Sequence, residues 1–176
     1  REPAAPAEAS AAPAASAAPA ARVDPCETPP AEVAAYLEQE PGWSIVRVQD
    51  LIPDDQTLWT QYHPDACPGF TAADLTGARA PSYALALRKP TATGAQEKLV
   101  VLRRDGERLI AQTLSSPVPE GFLQVVWRTP PGEVSAWDDT ERARLAHDGV
   151  VYERLEASAV VFYWDGGGFR SILSSD

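Results

Sequence analysis

The sequence predicts a mainly β fold, all-β or α+β: an antiparallel curved sheet or sandwich with one or two short helices, behind a disordered Ala/Pro-rich N-terminal tail. Three observations predict it. From Ser82 onward, short apolar runs alternate with turn residues, the pattern of antiparallel strands. Arg104-Asp105-Gly106 lies between two such runs, and an Asp-Gly pair there is a strong hairpin signal because it tolerates positive φ. No long helical pattern separates the strands, which argues against parallel βαβ units.

Taken in order, residues 1–28 form the spacer and residues 29–176 a single globular domain. Residues 1–22 hold 12 Ala and 4 Pro, and a proline every few residues keeps the alanines from forming a helix. Pro29-Pro30 then opens a segment with Val33, Tyr36 and Leu37 at i, i+3 and i+4, a short amphipathic helix. After Pro41-Gly42, the run Trp43–Val48 has the β-branched and aromatic density of a strand. Asp54 and Asp55 open a helical turn carrying Leu58 and Trp59.

Within the β region, Tyr83, Leu85 and Leu87 alternate with Ala84, Ala86 and Arg88. Lys98–Arg103 pairs with Glu107–Leu114 across Asp105-Gly106. Phe122–Arg128 follows, then a Pro130-Pro131-Gly132 break. Asp138-Asp139-Thr140 reads as a helix N-cap before Glu141–Leu145. Val150–Leu155 and Ser158–Trp164 form the next strand pair, and Asp165-Gly166-Gly167-Gly168 turns the chain into Phe169–Leu173. The expected total is six to eight strands and two short helices.

Charge narrows the function classes. With 15 Lys+Arg against 25 Asp+Glu, the formal net charge is −10. No basic cluster exists to neutralise phosphates, so nucleic acid is not an expected partner. The apolar runs are far shorter than the roughly 20 residues needed to span a bilayer, so a membrane is expected only through an anchor preceding Arg1. An Ala/Pro spacer of this kind commonly follows a signal peptide or a lipid-bearing cysteine in bacterial proteins.

The two cysteines, Cys26 and Cys67, are too far apart in sequence for one compact metal knuckle. They read as a disulfide pinning the spacer to the domain, which suits an oxidising compartment. Two unrelated buried thiols in a cytosolic protein are the alternative.

Catalytic chemistry finds little support. His63, Asp65 and Cys67 alternate, but a zinc site needs further ligands at a recognisable spacing, and His147 is the one other histidine. Cys67, His147 and Asp148 compose a nucleophilic set in composition alone, with no local signature. Nucleophile elbows, phosphate-cradling loops and His-Glu-x-x-His helices are absent. No enzyme activity, metal or cofactor is expected. The carboxylate pairs Asp54/Asp55 and Asp138/Asp139 read as helix-end or surface charge. Most of the aromatics among Trp43, Trp59, Trp127, Trp137, Tyr163 and Trp164 must build the core. Tyr163 and Trp164 face opposite sides of one strand, so one of them is a candidate exposed anchor for a protein partner.

The stretch Cys67–Leu87 resembles the FG-GAP-type unit, in which an acidic loop of the form D-x-N-x-D-G-x-P-D precedes an apolar strand. Asp74, Gly77, Pro81 and the start of Tyr83-Ala84-Leu85 fall in the places of that pattern. In the full unit alternate oxygens ring a calcium ion. Here Asp74 and Thr76 retain oxygens, whereas Ala78, Arg79 and Ser82 replace the remaining carboxylates and the turn glycine. No calcium is therefore expected, and Arg79 is expected to pair with Asp74. The closing segment Val160–Arg170 is similar to the end of small exported bacterial proteins carrying one such unit, some of which are lysozyme inhibitors or immunity lipoproteins.

The resemblance implies a periplasmic, lipid-tethered or secreted domain that binds a protein of the cell envelope, such as a peptidoglycan hydrolase. Its contact residues would be Asp74, Thr76 and Arg79 in one loop and Tyr163, Trp164 and Asp165 in the other. A structural envelope accessory without a tight partner, and a small-molecule or metal-binding module, are the competing classes.

Overall fold

The computed structural model describes residues 26–78, 80–106, 108–115 and 123–175, with backbone alone at 118–119. The spacer through Pro25, Arg79 and Phe122 lie outside the described residues. Helix α1 (Ala31–Glu38) starts after Pro30 and carries Glu32 in its first turn. The expected strand after it shrinks to β1 (Ser44–Ile45), because Val48–Asp50 turns into a 3-10 helix. The Asp50 carboxylate accepts the Arg47 amide at 2.9 Å, which fixes that turn. Helix α2 (Pro53–Tyr62) has proline at its start and Asp54 and Asp55 in its first turn, where they favour the positive end of the helix dipole.

The strands follow: β2 (Phe70–Ala73), β3 (Ser82–Thr91), β4 (Gly94–Asp105), β5 (Arg108–Thr113), β6 (Val118–Pro119) and β7 (Val125–Thr129). After them come β8 (Gly132–Ser135), β9 (Arg142–Leu145), β10 (Gly149–Arg154), β11 (Ser158–Trp164) and β12 (Phe169–Ser175). The described strands exceed the expected six to eight because short edge pieces carry too few residues to show a period of two. One expected helix start is corrected: Asp138-Asp139-Thr140 does not cap a helix. Asp138 accepts hydrogen bonds from the Thr140 amide and hydroxyl, and Asp139 takes φ 57°, so the segment is the turn of the β8–β9 hairpin.

All pairings are antiparallel. The first sheet runs β1-β3-β4-β5, with β2 also on β3 and β6 also on β4; the second runs β12-β11-β10-β7. Four layers result. Tyr83, Leu85, Leu87, Val100 and Leu102 meet Val33, Tyr36 and Leu37 of α1 on the outer face of the first sheet. Ala84, Ala86, Leu99 and Val101, on its other face, pack with Trp59 of α2 against Val126, Val150 and Tyr152 of the second sheet. Val151 and Val161, on the far side of the second sheet, are covered by Val134, Ala143 and Leu145 of the β8–β9 hairpin. The large/small alternation along Ser82–Leu87 thus serves two covered faces. Leucines reach across to a helix, and alanines let the second sheet approach.

Ion pairs fasten α1 at both ends. Glu32 accepts the Tyr83 hydroxyl at 2.8 Å and pairs with Arg104, and Glu40 pairs with Lys98 at 2.7 Å. The chain also passes itself closely at Gly69. A Cβ there would stand 2.5 Å from both the Val46 amide nitrogen and its carbonyl oxygen. Gly69→Ala must move backbone, and is expected to cost about 2–3 kcal/mol as an overpacking defect; a urea midpoint equal to the parent's would overturn that account.

Candidate functional site

The two sheets are joined along one seam and open along the other. On the closed side, the Val126 amide at the start of β7 donates to the Pro68 carbonyl at 2.7 Å, just before β2. On the open side, the terminal strands β5 and β12 face each other with no backbone hydrogen bond between them among the described residues. The gap is a groove of about 540 Å³. Gln112, Thr113 and Leu114 form the wall from the first sheet. Phe162, Phe169 and Ser171 form the wall from the second, with Tyr163, Arg170 and Glu141 at the rim.

The β11–β12 turn leads directly into Phe169 and Arg170 of the groove lining. Asp165 is its organiser: one carboxylate oxygen accepts the Gly167 and Gly168 amides at 2.8 and 2.9 Å, and the other accepts Arg170 Nε at 2.7 Å. Those donors, the arginine foremost, hold its pKa down at about 2. Trp164 packs edge-on against Phe169 at 5.3 Å and beneath the Arg103 guanidinium at 4.9 Å. Tyr163 turns the opposite way, against the β8–β9 layer. The expected opposition of Tyr163 and Trp164 is therefore present, but both are half-buried. The exposed tryptophan is Trp137, 57% exposed in the β8–β9 turn. Its amide donates to the Leu173 carbonyl at 3.1 Å, and Leu173 is itself 41% exposed. A lone tryptophan within Ser135–Thr140, otherwise polar or small, was the sequence signal for this. Counting aromatics as core material hid it.

The second expected loop, Asp65–Ala80, lies elsewhere and is in part strand, since Phe70–Ala73 is β2. Its carboxylate is engaged within the loop, since Asp74 Oδ1 accepts the Gly77 amide at 2.8 Å. The loop is tied to the segment before β10 by the Asp74 amide to Asp148 Oδ2 at 2.9 Å and the Asp148 amide to the Asp74 carbonyl at 3.0 Å. The His147 ring packs over Gly77 so closely that a Cβ would meet it at 2.6 Å. Thr76 Oγ1 is buried without a hydrogen-bond partner among the described residues. The expected partner of Asp74, Arg79, lies outside the described residues. The two loops proposed from the sequence thus do not form one surface through any described contact.

Other sequence candidates are engaged in structure. Cys26 and Cys67 form the disulfide, which removes Cys67 as a thiolate ligand or nucleophile. His63 is stacked on Trp59 at 4.3 Å and stands 5.7 Å from Trp127, and burial among these rings lowers its pKa. Among the described residues, no three His, Cys, Asp or Glu side chains converge as metal ligands, and no helix is long and apolar enough to cross a membrane.

Sequence reading missed a buried polar cluster between the sheets. Glu97 of β4 accepts the Tyr152 hydroxyl at 2.7 Å and the Gln124 amide at 2.8 Å on one oxygen. Desolvation outweighs both bonds and pushes the carboxyl up to about 7. The alternation around Lys98–Arg103 gave no cue that Glu97 faces inward. No protein-family model matches this chain, and neither a curated protein nor a solved structure does.

Proposed function

We propose that this chain is a non-enzymatic, extracytoplasmic domain that binds a protein of the cell envelope and inhibits a peptidoglycan hydrolase. The observation that carries the reading is the exposed Trp137–Leu173 pair beside the open groove. A tryptophan held by backbone hydrogen bonding and surrounded by water has the makings of a binding hot spot, since it gains most from desolvation at an interface. The Cys26–Cys67 bond supports an oxidising compartment. A net charge of −10 favours a basic partner and speeds the encounter.

The purified full chain, assayed against a panel of lysozymes and other peptidoglycan hydrolases, is expected to inhibit at least one stoichiometrically. Trp137→Ala should weaken that inhibition by about tenfold or more, while its urea midpoint stays with the parent's because the side chain is largely in water. The association rate should fall as salt rises from 50 to 500 mM, in keeping with a Debye length that shrinks from over 10 Å to a few ångströms. No inhibition across the panel overturns the hydrolase reading, and a salt-independent rate overturns the electrostatic part.

A further inference from the structure

We infer that the open seam between β5 and β12 is a strand-addition site, taking an extended basic segment of a partner protein that pairs along β12. This rests on the reading of the chain as a protein-binding domain and states how the partner is held.

Backbone direction carries the argument. The Leu173 carbonyl receives the Trp137 amide from outside the sheet, so the Leu173 backbone points away from β11. Alternation then turns the N–H and C=O groups of Ser171 and Phe169 outward as well; these residues stand opposite Phe162 and Trp164 of β11 in the register. On the facing strand, the Leu114 amide donates inward to the Leu99 carbonyl at 2.9 Å. Thr113 and Ala111 consequently present their backbone groups to the seam. Among the described residues, no backbone group bonds Phe169, Ser171, Ala111 or Thr113 from the open side. A strand edge left bare in this way is a template for another strand.

The groove also selects the occupant. Leu114, Phe162 and Phe169 in its walls pack on the inter-sheet core, while most of the surface it exposes is polar. An added strand would turn every second side chain toward these three apolar residues and the side chains between them toward the polar rim. Charge at the rim is unbalanced. Arg170 is already held by Asp165 at 2.7 Å, whereas Glu141 has no ion-pair partner among the described residues. With −10 on the whole chain, a basic segment is favoured and a second copy of this chain is repelled.

The test is a titration of the isotopically labelled full chain with two acetylated hexapeptides, one alternating Val with Lys and one alternating Val with Glu, followed by amide chemical shifts and hydrogen exchange. The Lys peptide is expected to shift and protect Phe169, Ser171 and Thr113, and to bind at least tenfold tighter than the Glu peptide. Ser171→Pro removes an outward donor and leaves the β11 ladder intact, so it should abolish that binding with the amide pattern of β10 unchanged. Glu141→Lys should reverse the preference between the peptides.

Absence of shifts at the seam, equal binding by Ser171→Pro, or an unchanged preference in Glu141→Lys overturns the proposal. Concentration-dependent shifts at the seam without peptide would assign it to a second copy, which also overturns it. Hydrolase inhibition that Ser171→Pro leaves intact would keep the proposed function and discard the seam. Peptide binding at the seam with no hydrolase inhibited would do the reverse.

Discussion

Removing the Cys26–Cys67 cross-link, as the C26A/C67A double variant or by reduction, is expected to lower the unfolding free energy by about 4 kcal/mol. The bond spans 41 positions. Closing a loop of that length restricts the unfolded chain, and the chain-entropy relation gives about that value. The folded side adds to it. Both cysteines are buried in the cluster that seats Val33, Tyr36 and Leu37 on the first sheet, and both sulfurs sit 3.8 Å from the Val46 carbonyl. Helix α1, eight residues long, is too short to persist alone, so it depends on this packing and on its Glu32 and Glu40 ion pairs. Urea melts of the oxidised parent and the double variant should differ by this amount, with a fall in Tm of roughly 10 °C for a domain of this size. Coincident midpoints would mean that the packing of α1 holds the segment without the bond. A larger loss confined to the first sheet, read by hydrogen exchange at Leu85 and Val100, would show that α1 undocks as a unit.

Much of the fold was legible because its cues are local. The 3.6-residue spacing of Val33, Tyr36 and Leu37 gave α1, and Asp54-Asp55 ahead of Leu58 and Trp59 gave α2. Asp105-Gly106, with Gly106 at φ 61°, gave the β4–β5 hairpin, and the glycine triplet gave β11–β12. The misreadings occurred where local pattern and tertiary context part. Asp138-Asp139-Thr140 has helix-capping chemistry, but the same side chains stabilise a tight turn equally well, and Val134 and Leu145 needed a sheet to cover. Trp43–Val48 has strand composition, yet backbone pairing with β3 runs only to Val46, whose amide donates to the Ala86 carbonyl at 3.0 Å, because the Asp50 carboxylate then draws the chain into a turn.

The candidate site was legible only in part. Of the three residues expected in the C-terminal loop, Tyr163 borders the groove, whereas Trp164 packs on Phe169 and Asp165 holds the turn; both aromatics are half-buried. What makes the seam a surface is the absence of pairing between β5 and β12, and that is a property of how two sheets meet. No single segment encodes it. Trp137 is exposed for the same reason: its hairpin covers the second sheet with Val134 and Ala143, which leaves the turn beyond the sheet's edge.

Glu97→Gln is expected to stabilise the protein by about 3 kcal/mol at pH 8 and by nearly nothing at pH 4.5. The carboxyl is pushed up to about 7 in the folded chain from an ordinary 4.5, chiefly by burial. Between those values the folded chain holds one proton that the unfolded chain has released, so stability falls by about 1.4 kcal/mol for each pH unit gained. The loss is complete above pH 7, where the ionised group is buried with two donors on one oxygen. Those two bonds make the ionised state tolerable, and burial first, then the same carboxylate, raises the pKa of the Tyr152 hydroxyl that donates to it. Glutamine keeps an oxygen in the same place for the Tyr152 hydroxyl and the Gln124 amide, and it never ionises.

Urea melts of parent and variant at the two pH values cancel the contributions of the remaining acids, including Glu40, Asp138 and Asp165, whose pKa values are lowered and whose effects run the other way. A difference between parent and variant that does not change with pH would mean that Glu97 titrates normally and is reached by water. A difference that grows from pH 4.5 to 8 would place a proton-sensitive joint between Glu97 of the first sheet and Tyr152 of the second, on the strands flanking β5 and β11. Acidification would then tighten the contact between the sheets, and the effect would reach the β5–β12 groove through their neighbouring strands.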